Sequence, residues 1–105
     1  MNVILCLDRG TEKSALEMAF SANESITGVQ CIEDVNLAMD LAIENDVDIV
    51  IIDLELFKRN VMEMFFRIND IKKNNPDIKV VLFVNKENDV IVSAAFRFGI
   101  SYVFV

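Results

Sequence analysis

The chain has 105 residues, 53% of them hydrophobic and 26% charged, which is the mixture of one ordinary globular domain spanning 1–105. Its net charge of −7 argues against direct contact with nucleic acid, because phosphate binding needs a basic face. Histidine is absent, and this excludes Ser-His-Asp and Cys-His nucleophile systems as well as any His-ligated zinc within the chain.

Met1 to Leu7 carries no basic leader segment and reaches Asp8 too soon for a secretory signal. No apolar stretch approaches a membrane span. Cys6 and Cys31, far apart and without CxxC spacing, are read as reduced core thiols of a cytoplasmic protein.

In chain order, residues 2–7 predict a short apolar strand. A helix follows over Thr11–Asn23, with Leu16, Ala19, Phe20 and Asn23 at i, i+3, i+4, i+7 spacing. Gly28–Ile32 is a second, weaker strand. Glu33 and Asp34 supply acids to the start of a helix running to Glu44, whose inward stripe is Leu37, Ala38, Leu41 and Ala42.

Asp48–Leu54 is the third strand, and its unbroken β-branched run Ile49–Ile52 predicts burial on both faces, as in a parallel sheet. Asn60 can cap a helix over Val61–Asn74, with Val61, Met64, Phe65, Ile68 and Ile71 inward, and Pro76 stops it. Lys79–Val84, then a helix over Asp89–Phe98 closed by Gly99, then Ile100–Val105 complete the series.

Strict βαβαβαβαβ alternation implies a doubly wound, flavodoxin-like parallel sheet of order 2-1-3-4-5 with helices on both faces. The third strand ends on Asp53, at the carboxyl edge where such sheets place their ligands. That makes Asp53 the first candidate for chemistry, beside the plainer reading of a solvated strand end. The final apolar strand has no helix after it, so the reading expects either further chain beyond Val105 or a partner over this edge.

Over nearly its whole length the chain resembles the receiver domain of two-component response regulators. The likeness rests on Asn36-Leu37-Ala38-Met39-Asp40-Leu41-Ala42 leading into Asp48-Ile49-Val50-Ile51-Ile52-Asp53-Leu54, and on Ala94-Ala95-Phe96-Arg97-Phe98-Gly99-Ile100-Ser101. It implies that Asp53 is the phosphoacceptor, taking a phosphoryl group from a sensor histidine kinase. It also implies weak Mg²⁺ ligation by Asp8, Asp53 and Glu55, the last through its backbone.

The pattern is broken in several places. The paired acids after the first strand fall on Asp8 and Arg9, and the switch hydroxyl after the fourth falls on Val84. The usual proline is Phe57 and a loop glycine is Val61; the lysine falls on Val105 or one residue past it. Two carboxylates about 5 Å apart repel by roughly 3 kcal/mol at an effective dielectric near 20, and Arg9 offers a built-in counter-charge in place of the metal.

Met62 with Phe66, and Val92 with Phe96, lie outside the core stripes of their helices. Val92, Phe96, Tyr102 and Phe104 form the candidate interface, with a homodimer among the partners it would serve.

The resulting expectation is an atypical receiver-like signalling module, not an enzyme, that controls an output domain of the same chain through protein contacts. The alternatives are a working phosphoacceptor in a His-Asp phosphorelay and the receiver-like front end of a P-loop ATPase in an assembly or partitioning system. No membrane is involved in any of them.

Overall fold

The structure is a computed structural model that describes residues 1–7, 10–44, 46–54, 61–84 and 89–104, by backbone alone at 10–13, 15, 44, 61, 89–92 and 104. The elements are β1 (Asn2–Cys6), α1 (Gly10–Ser21), β2 (Gly28–Cys31), α2 (Val35–Glu44), β3 (Ile49–Asp53), α3 (Val61–Asn74), β4 (Lys79–Phe83), α4 (Asp89–Arg97) and β5 (Tyr102–Phe104). All neighbouring strands pair in parallel, in the order β2-β1-β3-β4-β5. Element order and strand order match the sequence expectation.

Right-handed crossovers dictate where the helices go. The step from β1 to β2 runs one way across the sheet, and every later step runs the other way. One helix therefore lies on one face and three on the other. Side-chain alternation agrees: Ile4, Cys6, Val50, Ile52, Val80 and Leu82 pack with α2, α3 and α4 through Ala38, Met39, Ala42, Met64, Phe65, Ile68, Ile71 and Ala95. Val3, Leu5, Ile51 and Val81 point the opposite way, toward Leu16 and Phe20 of α1.

The larger core also holds a stacked pair, Phe65 on α3 and Phe98 just past α4, with ring centroids 4.9 Å apart. Beyond Phe98 the chain reverses at Gly99, whose φ of 97° only glycine adopts without strain. The Lys72 stem fills the space beside it, since a Cβ at Gly99 would lie 3.2 Å from Lys72 Cγ. The Lys72 ammonium donates to the carbonyls of Pro76 and Ile78, each at 2.9 Å, tying α3 to the start of β4.

Two helix stripes depart from expectation. Leu37 is 50% exposed, and α2 buries Met39 with Ala38 and Ala42 instead. The rotation of α2 is set from its ends and side: Asp34 Oδ1 accepts the amides of Asn36 and Leu37, and Arg67 on α3 donates to Asp40 and to the Asn36 carbonyl. On α1, Ala19 and Asn23 (just past its end) are exposed and Leu16 and Phe20 are only half-buried, because no described helix lies beside α1 on its face.

Cys6 lies on the three-helix face and Cys31 on the α1 face, on opposite sides of the sheet. The Cys31 thiol donates to Glu17 Oε2 at 2.8 Å. Among the described residues no helix is long and apolar enough to cross a membrane.

Candidate functional site

The direction reversal after β2 places a topological switch point between β1 and β3, and at its carboxyl edge an open sheet opens a crevice. Asp53 closes β3 at this edge. In register, Ile52 pairs with Cys6 on β1 and Asp53 with Phe83 on β4. Asp53 is 0% exposed, and among the described residues it is the buried charged side chain. The plain reading of a solvated strand end is thereby overturned.

Cys6, the last residue of β1, lies beside this carboxylate. Burial first, then the charges of Asp34 and Asp53, push its thiol up to about 12. Burial thus holds it as a protonated core thiol at ordinary pH, as the core reading of Cys6 expects. Asp34 is a residue that the sequence reading took only as an acid for the helix start. It caps α2, and its charge also reaches the Cys6 thiol from β2's side of the site.

Val84 follows β4 directly, one residue past the partner of Asp53, and is 1% exposed within the larger core. The residue that the sequence expectation assigns to the switch hydroxyl is thus an apolar, packed side chain. Leu54, the residue after Asp53, packs against the same core.

Of the acids expected to hold Mg²⁺, Asp8 and Glu55 lie outside the described residues, as do Arg9, Phe57 and Val105. A hard divalent cation takes several oxygen ligands. Among the described residues, which include neither Asp8 nor Glu55, no three His, Cys, Asp or Glu side chains gather into such a set.

The expected interface residues are partly described. Phe96 is 53% and Tyr102 60% exposed. Tyr102 is in register with Val81 on the α1 face, whereas Phe96 belongs to α4 on the other, so the two flank the β5 edge from opposite faces. For Val92 and Phe104 only the backbone is described. Met62 and Phe66 on α3 are exposed, as their spacing predicts. A cleft lined by Asn2, Gly28, Gln30, Asp46 and Val47 opens at the amino edge of the sheet, the end opposite Asp53.

This fold, with a carboxylate closing its third strand, is the fold of response-regulator receiver domains. No family model matches the chain, and a search of the curated proteins finds no match. Solved structures do match. One is a response regulator from Burkholderia pseudomallei carrying a phosphorylated aspartic acid, a calcium ion and citrate, with a TM-score of 0.78 and 14% identity over 98% of this chain and 58% of that one. Another is the isolated receiver domain of RcsB from Salmonella enterica serovar Typhimurium in its apo form, at TM-score 0.75 and 21% identity, covering 98% of this chain and 74% of that one. A third is a putative CpaE2 pilus assembly protein from Sinorhizobium meliloti, at TM-score 0.74 and 10% identity, covering 100% of this chain and 87% of that one. This chain thus spans just over half, 58%, of the Burkholderia regulator.

Proposed function

We propose that residues 1–105 are a receiver-like regulatory module that works through protein contacts and controls an output domain in the same chain, without a working phosphorylation cycle at Asp53. The observation that carries this reading is Val84. Positioning and electrostatics do nearly all the work in phosphoryl transfer. Val84, one residue past the strand partner of Asp53, has no hydroxyl with which to bond a phosphoryl oxygen or report its arrival. Arg9, in place of one of the paired acids, supports the same reading from the sequence.

The contacts fall to the exposed side chains around the β5 edge, Phe96 and Tyr102, with Val92 and Phe104 on the same elements. The partners are signalling proteins, a sensor histidine kinase or a second copy among them, in the cytoplasm. The module is not an enzyme.

Incubation with Mg²⁺ and a small phosphodonor, read by intact-mass spectrometry, tests the proposal. The reading expects no acid-labile mass gain. A stoichiometric gain that vanishes in Asp53→Asn would establish the phosphoacceptor alternative, with Asp53 as nucleophile.

A second reading draws on the likeness to the CpaE2 pilus assembly protein. In it the module is the front end of a P-loop ATPase of an assembly or partitioning system. The chain encoded downstream of Val105 separates the two: a Walker-type loop there supports the ATPase and a DNA-binding domain supports the regulator.

A further inference from the structure

We draw no further inference here: the strongest candidate, the surface patch at the β5 edge on the α1 side of the sheet, where exposed Tyr102 adjoins half-buried Phe83, carries nothing because nothing in the structure shows what covers it.

Discussion

The two faces of the sheet are built from the same strands and are finished very differently. On one, α2, α3 and α4 close a continuous core that reaches from Ile4 to Ile100. On the other, α1 is the one described helix; Val3, Leu5, Leu7, Ile51 and Val81 are buried there, while Phe83 and Ile49 are only half-buried and Tyr102 is open. Neighbouring residues of one strand therefore live in different environments. Leu82 is sealed and Phe83 is not. The three-helix face holds the larger core, and it also carries Val84 and the Phe65–Phe98 stack that seats the end of α4.

The sharpest way to break this contrast is to truncate those two neighbours. Leu82→Ala is expected to cost about 2–5 kcal/mol, as fully buried leucines do. Phe83→Ala, although the larger deletion, is expected to cost less, about 2 kcal/mol, because Phe83 is only half-buried. Urea melts of both variants decide it, and a reversed order would contradict the contrast.

Cys6 gives a pH-dependent version. Its folded-state acidity is near 12 against an ordinary 9.0, so its contribution is whole below pH 9 and is lost as pH rises toward 12. Wild type should therefore lose up to about 1.4 kcal/mol per pH unit in that window relative to Cys6→Val. Parallel curves for the two proteins would show that burial, with the charges of Asp34 and Asp53, does not raise the thiol's pKa.

Smaller effects are expected at the turns and edges. Lys72→Met removes two hydrogen bonds to the α3–β4 turn and should cost about 1–2 kcal/mol in thermal or urea unfolding. Phe96→Glu and Tyr102→Ser, both on the open edge, should change stability by no more than about 0.5 kcal/mol. If Phe96→Glu also leaves oligomeric state and partner binding unchanged, α4 is not the docking face.

Much of this organisation is legible in the sequence because its signals are local. The β-branched run into Asp53, the stop at Pro76 and the reversal at Gly99 mark β3, the end of α3 and the end of α4 without any knowledge of packing. What the sequence hides is long-range. A helical wheel places Leu37 inward, but the bonds from Arg67 on α3 and the cap from Asp34 turn it out and bring Met39 in. Ala19 reads as core until α1 is found without a described neighbour on its face.

Asp34 escapes notice for a related reason. All β-to-α loops of a parallel sheet converge on the carboxyl edge, so residues distant in sequence meet there. Its influence on Cys6 follows from strand order and not from spacing. Phe96 and Tyr102 likewise look like one patch in sequence, yet the pairing of Tyr102 with Val81 sets them on opposite faces.

The central claim is that events at Asp53 are not relayed to α4 and β5. Amide NMR spectra recorded before and after adding Mg²⁺ and beryllofluoride, a phosphoryl mimic, test it most directly. The expected result is that the amides of Ala94–Phe98 and of Tyr102 and Val103 keep their shifts. Shifts there that appear in the wild type and disappear in Asp53→Asn would contradict the account.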